Sequence, residues 1–428
     1  MASLFWLIGF FVLFFLNVPV MVALVLSAFF AVVFIIEQNP IITISFVFES
    51  MNSSGLLSAP LFLVLGKLML AGKTSHVLFD FANSLVGWMR GGAGAVNVVT
   101  SMIFGGMSGS AVADIASAGP LEMDMMEKRG YDTTYAAGIT AATAVCSPII
   151  PPSVIMIIYA LTAQVSTMQM LLSGLIPGIL VGLLFLALNY VMSVKNNWQP
   201  PSKIDFKEIG VQFRHGFFAL LTPIILIGGM MSGWFTPSEV GFVAVGYVIF
   251  LETVIFKTWK DPIHQLARSS INAMTDSGVI MMIICNAAMG GYILAYDNVP
   301  ILVRDYILSV TTDPFWVMLI ISATIIVLAM FLEIIAIIVI AVPVFYSLAL
   351  SVGIHPVSFG LIVILSCSTG YITPPLGMTM YALATVRPDL KITQIARGAF
   401  PFLLCMIGLV FFYICNPEFV LIIFKFMG

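Results

Sequence analysis

Two stretches of this chain place prolines where an uninterrupted membrane helix could not hold them. From Cys146 to Ser153 the sequence reads Cys-Ser-Pro-Ile-Ile-Pro-Pro-Ser, inside an apolar run from Thr134 to Ala163. From Ser366 to Gly377 it reads Ser-Cys-Ser-Thr-Gly-Tyr-Ile-Thr-Pro-Pro-Leu-Gly. A proline lacks an N–H and crowds the carbonyl four residues back. Pro148, Pro151 and Pro152 therefore free the carbonyls of Ala144, Ser147 and Pro148, and Pro374 and Pro375 free those of Gly370 and Tyr371. At membrane depth such oxygens need protein, water or an ion as partner. The hydroxyls of Ser147, Ser153, Ser368, Thr369 and Thr373 lie beside them, and carbonyls with hydroxyls are hard ligands suited to an alkali cation.

The breaks have companions. Ala93 to Met107 is apolar but spans only about 22 Å as a helix, short for a bilayer core of about 30 Å. It ends at Gly-Met-Ser-Gly-Ser, and Ala111 to Glu127 runs back, which predicts a re-entrant hairpin with its tip at Ser108 to Ser110. At such a tip one leg offers carbonyls and the other N–H groups, a cation site beside an anion site. The tip would face the oxygens around Ser147, and a second tip, Glu333 to Ala336, would face Ser368 to Thr373. Asp114 and Glu333 are the carboxylates deepest in apolar sequence, a costly placement unless they are used; the alternative is that they cap the returning legs. Asp276 reads as an N-cap, Lys67 as a side chain reaching for the membrane surface, and the four histidines as span-end residues.

The elements that must carry these residues follow from composition. The chain is 61% hydrophobic and 9% charged, with a mean hydropathy of +1.11, which excludes a soluble domain with its usual quarter of charged residues. Apolar windows of helix length recur throughout, so the fold class is an all-α polytopic membrane protein. A net charge of −3 implies no nucleic-acid partner, and five cysteines in apolar stretches imply neither disulfides nor zinc. The N-terminus lacks a signal-peptide pattern, so Ser3 to Leu16 reads as a retained first helix. Spans are expected at Val20 to Ile36, Leu56 to Ala71, Met168 to Val194, Gly216 to Met231, Val240 to Phe256, Ser277 to Ala295 and Ala399 to Phe424. Interfacial stretches are expected at Ser75 to Met89, Ile263 to Ala273 and Val299 to Val310.

The order repeats. At a shift of 223 residues Pro120 meets Pro343, Gly130 meets Gly353, and Pro151-Pro152 meets Pro374-Pro375; at 224, Gly174 meets Gly398 and Pro177 meets Pro401. Five crossings plus a hairpin in each half make the halves inverted repeats. Residues 1–90 are read as first-repeat scaffold and 91–194 as its transport half. Residues 195–214 are a linker, 215–312 the second scaffold and 313–428 the second transport half. Basic residues from Arg90 through Arg214, with Lys257, Lys260, Arg268, Arg387, Lys391 and Arg397, fall on one side; Arg304 and Lys425 fall on the other. That side is the cytoplasm by the positive-inside rule, which puts both termini outside. The count is the same whether a hairpin is re-entrant or crosses twice.

Gly105 to Asp114, Gly-Gly-Met-Ser-Gly-Ser-Ala-Val-Ala-Asp, together with the two proline breaks, resembles the large membrane subunit of tripartite ATP-independent periplasmic (TRAP) transporters over essentially the whole chain. The resemblance implies a sodium-coupled, elevator-type importer of a small organic acid in the bacterial inner membrane. It needs no cofactor beyond Na⁺ and works with a small four-helix membrane subunit, expected here as a separate chain, a periplasmic substrate-binding protein and membrane lipid. It implies sodium sites on Gly106, Ser108, Gly109, Ala144, Ser147 and Pro148, and on Glu333, Ser368, Thr369, Gly370, Tyr371 and Thr373. The substrate would lie between them against Ser108, Ser110, Asp114, Ser153, Glu333 and Thr373. Glu333 stands where the family pattern often has Asp. Sialic acid, a C4-dicarboxylate, another keto or hydroxy acid and a sulfonate all stay open, since no basic residue is expected in the cavity. The competing classes are an intramembrane hydrolase and a passive anion channel. The hydrolase needs a second carboxylate near Asp114, and the repeat offers only Ile337 there.

Overall fold

A computed structural model describes residues 1–16, 18–51, 57–198, 201–257 and 263–425 of the chain, and among them there is no strand. The first half runs α1 (Ala2–Phe15), α2 (Val20–Phe30) with a π-helical turn Ala31–Ile35, α3 (Ile41–Met51), α4 (Ser58–Ala71), α5 (Lys73–Val86), α6 (Gly92–Ser108) and α7 (Ala111–Lys128). It closes with α8 (Thr133–Thr143) and a 3-10 turn Ala144–Cys146, then α9 (Val154–Thr162), α10 (Thr167–Ser173) and α11 (Leu175–Lys195). The second half runs α12 (Phe206–Met231), α13 (Pro237–Phe250) with a π-helical turn Leu251–Ile255, α14 (Ile263–Tyr296), α15 (Val299–Val310), α16 (Pro314–Ala329) and α17 (Ile334–Ser351). Then come α18 (Pro356–Tyr371), α19 (Met378–Val386), α20 (Ile392–Cys415), a 3-10 turn Pro417–Leu421 and α21 (Ile422–Lys425).

Helix starts are written in the sequence. Ser110, Asp132, Ser153, Ser166, Asp205, Thr236, Asp313 and His355 each accept a backbone N–H of the turn they open, satisfying donors that the helix itself cannot. Pro237, Pro314 and Pro356 sit in the first turns of their helices, where a missing N–H costs nothing. Two pairs of N-cap positions share the 223-residue spacing of the prolines. Asp132 and His355, 223 positions apart, cap α8 and α18; Ser110 and Glu333, also 223 apart, are the N-cap residues of α7 and α17. Each π-helical turn is followed by a residue with left-handed backbone, Glu37 and Lys257.

Two readings of element boundaries change. The interfacial stretch at Ile263 and the span at Ser277 are one continuous helix, α14, so Asp276 is a mid-helix residue and not an N-cap. Thr275 and Asp276 are tolerated there because the helix ladder needs no cap where it does not stop, and Thr275 bonds back to Ile271 O at 3.0 Å. The linker is also half helical: α12 begins at Phe206, capped by Asp205.

Among the described residues six helical segments are each long and apolar enough to cross a bilayer, α4 and α5 form an apolar pair bent by 72°, and shorter apolar helices include α1, α6, α16 and α18. The chain is thus a multi-pass membrane protein. The bend has a cause. Glu252, in the π-helical turn after α13, is wholly buried and accepts Lys73 N at 3.1 Å, Thr74 N at 2.9 Å and the Thr74 hydroxyl at 2.5 Å. Its carboxylate caps α5 where Gly72 interrupts the ladder, and a Cβ at Gly72 would overlap it.

α8 and α18 form the centre: Tyr135 to Thr143 and Val357 to Tyr371 are buried without exception, as expected of helices apolar all round. Around them the halves interlock. α7 packs on α19 and α9 on α17, so each hairpin's returning leg meets the broken helix of the other half; α8 packs on α20. Arg387, just after α19, reaches Asp124 at 3.1 Å and Glu127 at 3.4 Å on α7, and Asp389 at 3.0 Å. That last bond holds the Asp389 carboxyl below the usual carboxylate range. A second group of helices, α1 to α4 with α12 to α14, is organised on α14, which packs against α1, α2, α3 and α4.

Candidate functional site

The first tip abuts the first break. Gly109 closes α6 in the left-handed region, φ +60°, and a Cβ there would come within 2.9 Å of Val154 N; a Cβ at Gly105 would come within 2.9 Å of Ser147 Cα. Backbone therefore meets backbone, which only glycine permits. The second tip abuts the second break in the same manner. Ile334 N donates to the Tyr371 hydroxyl at 2.9 Å, Gly377 N donates to Met330 O at 3.3 Å, and a Cβ at Gly370 would come within 2.7 Å of Ile326 O.

Most of the carbonyls freed by proline have found protein donors. Ala144 O accepts Ser147 N at 3.2 Å, Pro148 O accepts the Ser153 hydroxyl at 2.8 Å, Gly370 O accepts Thr373 N at 3.0 Å and Tyr371 O accepts the Thr379 hydroxyl at 2.8 Å. A carbonyl has two lone pairs, so each keeps capacity for an ion. The hydroxyls sort differently. Thr369 and Thr373 donate to Leu365 O and Thr369 O, Ser147 donates to Asp114 Oδ2, and Ser110 and Ser153 accept the N–H groups of Ala113 and Met156. Ser368 is wholly buried and its hydroxyl has no partner. Gly106 and Ser108 lie in the last turn of α6, and the side chain of Ser108 is outside those described. Glu333 is the N-cap residue of α17 but makes no capping bond through its side chain, and at α7 the N-cap bond is made by Ser110.

Between the two tips and helices α4 and α14 lies a cavity of about 380 Å³. Four helices point their N-termini at it: Ala111 to Ala113 of α7, Val154 and Ile155 of α9, Ile334 and Ile335 of α17, and Met378 of α19 line the wall, with Glu333 and Tyr371 between them. The opposite wall carries Lys67, which is ion-paired with Asp276 and lies 3.5 Å from Asn272 O. This corrects the expectation that no basic residue lines the cavity and that Lys67 only reaches for the surface. The continuous α14 brings Asp276 beside α4, and a lysine with a carboxylate partner can stay inside. Ser110 and Glu333 also line the cavity; Asp114, Ser153, Ser368 and Thr373 do not.

A buried carboxylate also escaped the sequence reading. Glu122 of α7 is 3% exposed and lines a small pocket with Asp114, so Asp114 has an acidic neighbour after all, on its own helix. Its signal was hidden because the stretch Leu-Glu-Met-Asp-Met-Met-Glu-Lys reads as the solvated end of a leg. The pocket, about 10 Å³, has room for about one water.

Residues 7–419 match the family model described as tripartite ATP-independent periplasmic transporter, DctM component. The sialic acid TRAP transporter large permease protein SiaM of Vibrio cholerae is 32% identical over 416 residues, 96% of each chain. The sialic acid TRAP transporter permease protein SiaT of Haemophilus influenzae is 34% identical over 355 residues, 83% of this chain but 57% of SiaT. Among solved structures, the YdaH transporter of Alcanivorax borkumensis superposes with a TM-score of 0.62 at 12% identity, covering 87% of this chain and 86% of that one, a likeness of fold alone.

Proposed function

The chain belongs to the DctM-component family of TRAP transporters as a large membrane subunit, and from that membership we propose that it imports a small organic acid by sodium symport. The acid, of the class to which sialic acid belongs, would be handed over by a periplasmic binding protein to a complex of this chain with the small membrane subunit. The complex would sit in the inner membrane with both termini in the periplasm.

The observation that carries the reading is the cavity. Four helix N-termini and one lysine converge on a space of small-molecule size, an arrangement that favours an anion, because the N–H groups of a helix's first turn have no partner within the helix and carry partial positive charge. Hydroxyls and carbonyls at the two tips and breaks supply uncharged oxygens for Na⁺ on its flanks. We assign the first sodium site to the backbone of Gly106, Ser108 and Gly109 with Ala144, Ser147 and Pro148. The second is assigned to Glu333 with Ser368 to Tyr371 and Thr373. In an elevator cycle the body built on α8 and α18 would slide, with its tips, past the frame organised on α14, and the inverted repeats would supply its two end states.

Reconstitution tests this directly. Uptake into proteoliposomes should need an inward sodium gradient, the small subunit and the loaded binding protein together, with a Hill coefficient for sodium above one. Undiminished uptake in sodium-free buffer under a proton gradient would overturn the sodium assignment, and full uptake by this chain alone would overturn the tripartite one.

A further inference from the structure

The large cavity is polar at few points. Among the described residues that line it, the side chains able to hydrogen-bond are Lys67, Ser110, Asp276, Glu333 and Tyr371. Several of these already serve the protein: Lys67 is ion-paired with Asp276, the Tyr371 hydroxyl accepts Ile334 N at 2.9 Å, and Ser110 Oγ accepts Ala113 N at 3.4 Å. The rest of the described lining is glycine, alanine, proline, methionine, leucine, valine and isoleucine. Both walls share this character. Val112 of α7 on one side and Val279 of α14 on the other are 37% and 43% exposed, and Leu63 and Leu70 of α4 lie with Val279 on the frame side.

Such a lining selects by body as well as by charge. A hydroxyl placed against hydrocarbon loses its water without gaining a partner, and exchanging a methyl for a hydroxyl in an apolar pocket weakens binding about a hundredfold. A sugar acid brings several hydroxyls. Charge limits the ligand in a second way. Lys67 is the one cation among the described lining residues and shares the space with two carboxylates, Asp276 and Glu333. A second carboxylate on the ligand would add repulsion with no further cation to answer it.

Resting on the reading of this cavity as the substrate site, we propose that the transported acid is a monocarboxylate with an apolar body. Its one carboxylate is drawn by the positive potential of Lys67 and the helix N-termini, and its body lies against Val112, Leu63 and Val279.

Thermal unfolding of the full-length chain with the small subunit, in lipid nanodiscs with sodium chloride, reads binding as a rise in melting temperature. The probes are isocaproate, a branched aliphatic monocarboxylate; isocaproamide, its neutral counterpart; succinate; and N-acetylneuraminate. Isocaproate is expected to reach half its full effect at a concentration at least about tenfold below that of succinate or N-acetylneuraminate, and isocaproamide to have none. Val112→Thr and Val279→Thr keep the shape of side chains on the cavity surface, and together they should raise the isocaproate concentration about tenfold without raising that of N-acetylneuraminate. An unchanged isocaproate response in this double variant overturns the proposal. So does an equal response to isocaproamide, which would report partition into lipid. A preference for succinate or N-acetylneuraminate overturns it and leaves an organic-acid carrier standing, whereas no response to any acid overturns both. The same preference with potassium chloride in place of sodium chloride supports it and counts against sodium coupling alone.

Discussion

Lys67 and Ser368 are the two side chains whose surroundings say most about what binds. Lys67 faces the cavity with Asp276 as its carboxylate partner among the described residues, so an incoming anion can share the ammonium. Lys67→Gln is expected to raise the substrate concentration for half-maximal uptake about tenfold, the scale of a lost charge-assisted hydrogen bond, while Asp276→Asn leaves it equal or lower. Unchanged half-saturation in Lys67→Gln would place the anion elsewhere. Ser368 is a buried hydroxyl without a partner beside the second break, which is costly unless something fills the gap. Ser368→Ala should raise the sodium concentration for half-maximal uptake about tenfold, since losing such a ligand costs about 1–3 kcal/mol. Thr369 and Thr373, already bonded to helix carbonyls, should matter less. A sodium dependence identical to that of the parent would exclude Ser368 as a ligand.

At the scale of elements, α8 crosses α20 with backbone against backbone. A Cβ at Gly138 would overlap the backbone of Gly398, and one at Gly398 would overlap Thr134 O. Gly398→Val should therefore lower the melting temperature by several degrees, for an overpacking cost of about 1–3 kcal/mol. Gly408→Ala, on the same helix with open space around it, should be neutral or raise it by up to about 1 kcal/mol of helix propensity. Equal effects would mean that the crossing is looser than it stands here. Such elements were legible in the sequence wherever punctuation marks them. Pro148, Pro151-Pro152 and Pro374-Pro375 announce the breaks, and the run Ser108 to Ser110 the first tip. What stayed hidden had no local sign. The pairing of Lys67 with Asp276 needs α14 to run on through Thr275, and it joins side chains far apart in sequence. Glu122 looks like one of several acids at a solvated helix end, and only the packing of α6 and α8 over it removes it from water.

For the whole molecule, orientation is the first thing to establish. With inverted halves, a cysteine replacing Lys203 in a background lacking the five native cysteines should react with a membrane-impermeant reagent only from the cytoplasm, and one replacing Thr236 only from the periplasm. Both positions are described and lie outside the helices, Lys203 in the connection before α12 and Thr236 at the cap of α13. Labelling of both from one side would contradict an odd number of crossings between them.

The exchange of partners between halves, α7 on α19 and α9 on α17, also bears on how the protein is made. Membrane insertion proceeds from the N-terminus, so when synthesis has reached Lys195 the first hairpin has no α19 to lie against, Gly138 meets no α20, and Asp124 and Glu127 have no Arg387. The first half must wait, inserted but immature, in lipid or in the care of the insertion machinery until the second half is translated. Maturation of the central body is a late event that engages both ends of the message together, and a nascent chain stalled at the linker holds α8 without α18.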